Sequence, residues 1–307
     1  GKTLKDAVNG TRPRLMYDET RVHEGWLFNQ TEYIFREGSG NDYLDIKDRD
    51  HNASSMNWIT IYGGGGKDFI ANVRDAHGES GDDQIKNVEY AWGGTGSDYI
   101  IHVEEDAYGG DNDDYISSTK KAYGGRHNDY ITDSDEAYGE DGNDILVDNK
   151  KADGGDGNDT LLGNKNSYGR DGNDYIIGSN SRGNDNVLDG GADNDYIIGQ
   201  DKNDVLKGGT GSDLLVGGGG NDRIDGGEDH LYDNDLASDL AVFSNDANFT
   251  FTKQSGTWEY RVSGQGTDYF KNIESVVVEA GDSDNTIDAS ELEISSNLDG
   301  RAGNDII

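Results

Sequence analysis

The chain has 307 residues, with 62 acidic against 26 basic side chains, a formal net charge of -36 at pH 7 and a mean hydropathy of -0.87. At 32% hydrophobic content such a chain lies near the disordered class unless something bound cancels the charge, and a surface of this sign excludes nucleic acid and anionic lipid as direct partners. With no cysteine there are no disulfides or thiolate metal sites, no apolar run reaches membrane-spanning length, and the N-terminus shows no signal peptide.

Residues 1–60 read as an N-terminal β cap and a first turn. The segments Trp26-Leu27-Phe28 and Tyr33-Ile34-Phe35 are aromatic and β-prone, as a cap over the first coil of a solenoid should be. Asp42 closes a first, isolated turn, and Lys47–Asn57 separates it from the array of repeats that begins at 61.

From 61 to 182 a hexapeptide that opens with glycine and closes with aspartate returns every fifteen residues, with a single sixteen. The glycines are Gly63, Gly78, Gly93, Gly109, Gly124, Gly139, Gly154 and Gly169; the aspartates are Asp68, Asp83, Asp98, Asp114, Asp129, Asp144, Asp159 and Asp174. Two places after each aspartate stands Ile70, Ile85, Ile100, Ile116, Ile131, Leu146, Leu161 or Ile176, and two places before most glycines stands an alanine. A period of this length means a solenoid. Strand alternation puts the Ile and Ala columns inside and their neighbours outside. The return bends Ser117–Lys121, Thr132–Glu136 and Val147–Lys151 share no ligand pattern, so ion-binding turns are expected along one edge only.

From 183 to 227 the unit tightens to nine residues, with glycines Gly190, Gly199, Gly208 and Gly217 and aspartates Asp195, Asp204, Asp213 and Asp222. Both edges of an eighteen-residue coil then carry the turn. Gly178–Asp185 is the irregular junction, and Asp185 is taken as its closing carboxylate. Residues 228–290 alternate in short stretches between Gly, Asn and Ser, which reads as an antiparallel β spacer or cap. Residues 291–307 begin a further block, with Asp305 closing Gly300–Asp305. Since the sequence stops inside that repeat, a piece of a longer protein is expected.

The turn itself points to calcium. Gly-Gly-x-Gly-x-Asp supplies glycines able to take positive φ, so the chain reverses sharply with its carbonyls to one side, and the aspartate adds a carboxylate at the exit. Stacking coils about 4.8 Å apart brings a second set of oxygens beside the first. Such a cage suits calcium, which tolerates irregular oxygen geometry, better than magnesium. The glycines and aspartates named above, with Asp42, Asp185 and Asp305, are therefore the candidate ligands for multiple calcium ions. Glu79, Glu140 and Arg170 at the second position, and Asn112 and His127 at the fourth, depart from the glycine pattern and predict weaker or empty sites.

Gly208-Gly209-Thr210-Gly211-Ser212-Asp213-Leu214-Leu215-Val216 and Gly217-Gly218-Gly219-Gly220-Asn221-Asp222-Arg223-Ile224-Asp225 resemble the nonapeptide of the RTX, or haemolysin-type calcium-binding, family. The stretch from Ala241-Val242-Phe243-Ser244 to Lys271-Asn272-Ile273-Glu274 also looks like the β segment between RTX blocks. The resemblance implies a secreted bacterial protein, extracellular or cell-surface, that folds on meeting external calcium.

Tyr99, Tyr115, Tyr130 and Tyr175 follow turn aspartates, and Tyr62, Trp92, Tyr108, Tyr123, Tyr138 and Tyr168 precede turn glycines, so both sets form outward ladders. Stacking for stability is the plainer role; binding of sugar rings is the other. Six scattered histidines (His23, His51, His77, His102, His127, His230) form no His-Glu-x-x-His motif, and no serine stands in a Gly-x-Ser-x-Gly elbow. No catalytic residue and no organic cofactor site is predicted.

The expectation is an all-β, right-handed parallel β-solenoid or β-roll with calcium in its glycine-rich turns, monomeric as a fragment. It is expected to serve as a structural, stalk or export-coupled folding segment of a large toxin or adhesin that meets a host or cell surface. The alternative is a carbohydrate-binding module beside an extracellular polysaccharide epimerase or lyase, protease or lipase.

Overall fold

The computed structural model describes residues 33–45, 59–181, 185–227, 238–245, 247–264 and 266–307, and these hold strands and turns but no helix. Contacts divide the chain into two compact units, Gly1–Asp144 and Ile145–Ile307. The division falls inside the fifteen-residue array rather than at a change of composition. A solenoid coheres between neighbouring coils, so no composition shift is needed for such a division.

In the first unit every described pairing is parallel, with one shift of register between Val103 and Asp106, where the sixteen-residue coil carries its extra residue. On one face Leu44 stands beside Ile70, Ile70 beside Ile85, Ile85 beside Ile100, Ile100 beside Ile116 and Ile116 beside Ile131. On the other Ile61 is followed by Ala76, Ala91, Ala107, Ala122 and Ala137. Ile70 to Ile131 and the alanines are buried, so a large column meets a small one in a thin interior. The coil spacing is set by the sheet, and alternation by two fixes which residues enter it.

The expected isolation of Asp42 is corrected. Tyr33–Arg36 pairs in parallel with Ile59–Tyr62, and Tyr43–Asp45 with Phe69–Ala71, so the turn between them is stacked directly on the array. Tyr33–Arg36 is therefore a strand of a coil. Trp26–Phe28 and Lys47–Asn57 lie outside the described residues, as do His23, His51 and His230.

The second unit continues with the same rules. Its inward column runs Leu146, Leu161, Ile176, Ile197, Leu215, Ala241 and Val276, and the facing one Ala152, Ser167, Leu188, Leu206, Ile224 and Phe270. In the spacer, antiparallel pairing is narrower than expected. Among the described residues only Phe249–Lys253 with Tyr260–Ser263, and Tyr260–Ser263 with Thr267–Lys271, run antiparallel. Leu240–Ser244 pairs in parallel with Leu214–Val216 and Ser275–Glu279, which pairs in parallel with Ser295–Asp299. The apolar alternation of these strands is the same for either direction, so sequence pattern alone does not separate them. Phe243, Phe251 and Phe270, with ring centroids 5.6–6.2 Å apart, fill the wider interior where the meander inserts.

Candidate metal centre

The turn aspartates form a continuous buried ladder in each unit. In the first, the backbone N–H groups of Asp42, Asp68, Asp83, Asp98, Asp114 and Asp129 donate to Oδ1 of Asp68, Asp83, Asp98, Asp114, Asp129 and Asp144 in turn, at 2.7–2.8 Å. In the second, Asp159 donates to Asp174, Asp174 to Asp195, Asp195 to Asp213 and Asp213 to Asp239, at 2.8–2.9 Å. One carboxylate oxygen of each rung is thus spent on the preceding coil.

The other oxygen is the informative one. Oδ2 of Asp68, Asp83, Asp98, Asp114, Asp129, Asp174, Asp195, Asp204 and Asp222 is buried and accepts no hydrogen bond. It lies over the first glycine of its own turn and, in all of these but Asp222, beside the carbonyl oxygen of the first glycine of the next coil. A methyl group on Gly93 would overlap Asp98 Oδ2 and stand 2.6 Å from Gly109 O; one on Gly109 would overlap Asp114 Oδ2 and stand 2.5 Å from Gly124 O. Gly63, Gly78, Gly124, Gly154, Gly169, Gly190 and Gly208 repeat this arrangement, and Gly199 has it with Asp204 Oδ2 at 2.7 Å and Gly217 O at 2.5 Å. The first glycine is needed for the room its missing side chain leaves. The second is needed for conformation: Gly94, Gly110 and Gly125 have φ of 114–120°.

Two oxygens that both accept, side by side in a buried place, lack anything to bind them together. Burial accordingly drives these carboxyls up from the usual 3.8: Asp68 to about 6, Asp98, Asp174, Asp204 and Asp222 to about 7, and Asp114, Asp129 and Asp195 to about 8. The ladder N–H groups pull the other way, while most neighbouring rungs add repulsion. Among the described residues no three carboxylate or imidazole side chains converge as a conventional side-chain metal site. The donors fit a hard cation taken mainly by backbone carbonyls with one carboxylate per coil, which is calcium chemistry rather than zinc chemistry.

Gly217, Asp222, Gly300 and Asp305 stand in equivalent turns: a methyl on Gly217 would be 2.6 Å from Asp222 Oδ2, and one on Gly300 2.5 Å from Asp305 Oδ2. Gly139 places its carbonyl 2.8 Å from a methyl on Gly124. The substituted turns keep their shape. Glu79, Glu140 and Arg170 have φ of 75°, 78° and 92°, and Asn112 and His127 have 86° and 80°, so non-glycine residues are held in the left-handed region there.

The second edge differs between the units. In the first, the return-bend column is Val73, Val88, Val103, Thr119 and Ser134, all buried and none a carboxylate. In the second unit the eighteen-residue coils carry the ladder on this edge too: Asn186 donates to Asp204 Oδ1, Asp204 to Asp222 Oδ1 and Asp222 to Asp268 Oδ1, at 2.7–2.9 Å. Asp185 is displaced from its expected role. Its Oδ1 accepts from Asn203 N–H at 3.4 Å on the exposed outer row, and Asn186 takes the place in the column.

Sequence reasoning misses Asp239 and Asp268. Gly226 and Gly227 continue the nine-residue period, but the closing carboxylate is Asp239, delayed by an insertion; a methyl on Gly226 would overlap Asp239 Oδ2. The unanswered glycine pair is the available signal. Asp268 enters from the antiparallel meander, and the available signal is Gly264 and Gly266, which keep the second and fourth glycines of the turn without the first.

The outward rings stack coil on coil. Tyr62, His77, Trp92, Tyr108, Tyr123 and Tyr138 lie with centroids 4.2–5.8 Å apart and planes within 8°. Tyr99, Tyr115 and Tyr130 form a second stack, and Tyr175 with Tyr196 a third. His77 is a rung of the first ladder, with the Arg36 guanidinium 3.9 Å from the Tyr62 centroid at its end.

The family model of the RTX calcium-binding nonapeptide repeat matches four copies in residues 60–71, 151–167 and 198–230. No curated protein matches the chain. The matched repeats and the parallel solenoid together fit a repeat protein of the RTX type, and those repeats imply calcium as the ion for these turns. The chain is accordingly a calcium-binding structural module.

Proposed function

We propose that this module is a calcium-gated folding segment of a larger secreted bacterial protein, a toxin or adhesin, in which it acts as a stalk or as an export-coupled folding unit. The observation that carries the reading is the buried pairing of an unbonded carboxylate oxygen with a carbonyl oxygen, coil after coil. Without a cation each such pair opposes the fold; with one, the same pair binds successive coils together. At a calcium concentration one hundred times a site's Kd, each ion contributes about 2.7 kcal/mol by mass action. A few sites then match the roughly 5–15 kcal/mol that is typical of a whole domain. In a cell interior kept at low calcium that contribution vanishes, which would hold the chain in a translocation-competent state. Export from the cell, a bacterial extracellular or cell-surface location and the absence of catalysis belong to this reading.

The carbohydrate-binding alternative has weaker support, since the ring faces that would meet a sugar are engaged against neighbouring rings. The test is circular dichroism of the full chain in EDTA and in excess calcium. A large gain of β signal on calcium addition is expected, and equal β content in the two conditions would sink the proposal.

A further inference from the structure

Asn186 occupies the place of a turn aspartate, with a glycine of its own turn and a glycine carbonyl of the next coil placed as in an aspartate turn. A methyl group on Gly178 would stand 2.6 Å from Asn186 Nδ2 and 2.7 Å from Gly199 O. One coil later the corresponding point on Gly199 is 2.7 Å from Asp204 Oδ2 and 2.5 Å from Gly217 O. The geometry is the same, but one atom has changed from acceptor to donor. Asn186 Nδ2 donates to Gly199 O at 2.9 Å and to Ser179 O at 3.2 Å.

The orientation of this amide is fixed by its other end. Oδ1 of Asn186 accepts from Ser179 N–H at 3.1 Å, and a backbone N–H cannot accept in return, so the flipped amide is excluded. Asn186 has no exposed surface, so water does not serve either group. Two further asparagines on this edge also turn their amide hydrogens onto carbonyl oxygens, Asn164 toward the preceding coil and Asn285 within its own turn. Asn164 Oδ1 accepts from Asn149 N–H at 2.7 Å while Nδ2 donates to Leu146 O at 2.9 Å. Asn285 closes the turn Ala280–Asn285, with Nδ2 donating to Ala280 O at 2.7 Å and Ser283 O at 2.8 Å.

We infer that these asparagines are amide plugs, with Asn186 the clearest: the side-chain NH2 group takes over the role of a cation, so the turn closes without calcium. The residue at the sixth place of the turn is thus the determinant of whether a coil is ion-dependent. Along the second edge of this unit the column reads amide at Asn164 and Asn186, carboxylate at Asp204, Asp222 and Asp268, and amide again at Asn285. The ion-requiring coils of this edge are flanked by coils that need none. An amide donates two hydrogens and carries no charge, so it meets a carbonyl without the repulsion that a carboxylate must have neutralised. The plugged coils offer a template on which the aspartate coils can stack when calcium arrives.

This inference rests on the calcium reading of the aspartate turns, and its test separates the two. Bound calcium per full-length chain is measured by equilibrium dialysis and elemental analysis for the wild type, Asn186→Asp, Asn285→Asp and the reciprocal Asp204→Asn. A wild type that binds no calcium refutes the calcium reading itself. If it binds calcium, Asn186→Asp is expected to bind one ion more, and to lose β structure in EDTA relative to the wild type. Asp204→Asn is expected to bind at least one ion fewer while keeping its β content in calcium. Should Asn186→Asp fail to fold, Asn285→Asp and Asp204→Asn carry the decision. An unchanged ion count in the folded variants would overturn the plug assignment while leaving the aspartate sites intact.

Discussion

The first glycine of each turn is explained by the carboxylate above it, and Gly109→Ala tests that explanation. The new methyl would overlap Asp114 Oδ2 and approach Gly124 O to 2.5 Å. Ordinary contact at about 3.4 Å would need the coils to part by roughly 0.9 Å, which the sheet resists. Tyr108 pairs with Tyr123 on one side of the turn, and Asp114 N–H is held 2.8 Å from Asp129 Oδ1 on the other. The carboxylate must therefore swing away, and Asp98 N–H loses its acceptor, now 2.7 Å distant. Overpacking of this kind costs about 1–3 kcal/mol, and a buried donor left unpaired about 1–3 kcal/mol more. Together these come to about 2–6 kcal/mol, before any ion is lost. Gly65→Ala is the control, because its methyl would meet nothing closer than the Ser80 hydroxyl at 3.3 Å, and Gly65 does not have positive φ. Urea unfolding followed by circular dichroism at saturating calcium should show a large drop in midpoint for Gly109→Ala and almost none for Gly65→Ala. Equal, small shifts would refute the idea that the glycine exists to admit the carboxylate.

Burial raises Asp114, Asp129 and Asp195 to about 8 from 3.8, so the folded calcium-free chain binds protons more tightly than the unfolded one; its stability is full below the unfolded value and is lost as pH rises through about 8. Circular dichroism in EDTA should show more β structure near pH 5 than near pH 8, the calcium midpoint should rise as pH falls, and a midpoint flat across that range would contradict the burial of these groups. Tyr123→Ala removes stacks of 4.8 and 5.0 Å to Tyr108 and Tyr138. It should cost about 1–3 kcal/mol from the two ring pairs, read as a urea midpoint in calcium, and an unchanged midpoint would deny the ladder a structural role. Asp239→Ala should lower the number of bound calcium ions although Asp239 closes no uninterrupted hexapeptide; an unaltered count by dialysis would remove it from the column.

The periodic part of this molecule is legible in the sequence because one residue at each place in the repeat does one job. Ile70 and Ala76 mark the interior, Gly63 leaves space, Asp68 closes the turn, and the spacing stacks like on like. Insertions break that reading. The extra residues before Asn186 and before Asp239 lie between a turn's first glycine and its closing side chain, so counting forward from Gly178 and Gly226 lands on the wrong residue or on none. Asp42 looks isolated for the same reason: an insertion later in the coil lengthens the sequence distance to Asp68 without changing the stacking. Direction is illegible in the spacer, since Leu240–Ser244 has the same alternation whether its partner runs parallel or antiparallel. The role of Asn186 requires knowing which atoms face one another, which spacing does not supply.

The same ladder explains why a chain this acidic can have an ordered fold at all. Each turn carboxylate from Asp68 to Asp129 is held by an N–H from the preceding coil, which fixes Oδ1 and leaves Oδ2 beside the next coil's carbonyl. The attraction and the frustration are therefore built from one side chain, and neither can be removed alone. Replacing Asp114 by alanine would delete the repulsion but also the acceptor for Asp98 N–H. Replacing it by asparagine would keep the acceptor and turn the repulsion into a hydrogen bond, as Asn186 does beside Gly199. A sequence selected only for stability could therefore use asparagine at every rung. That the rungs of the first unit from Asp42 to Asp144 are all aspartate means that its coils forgo an available neutral closure, and under the proposed function the consequence is an ordered state conditional on the cation.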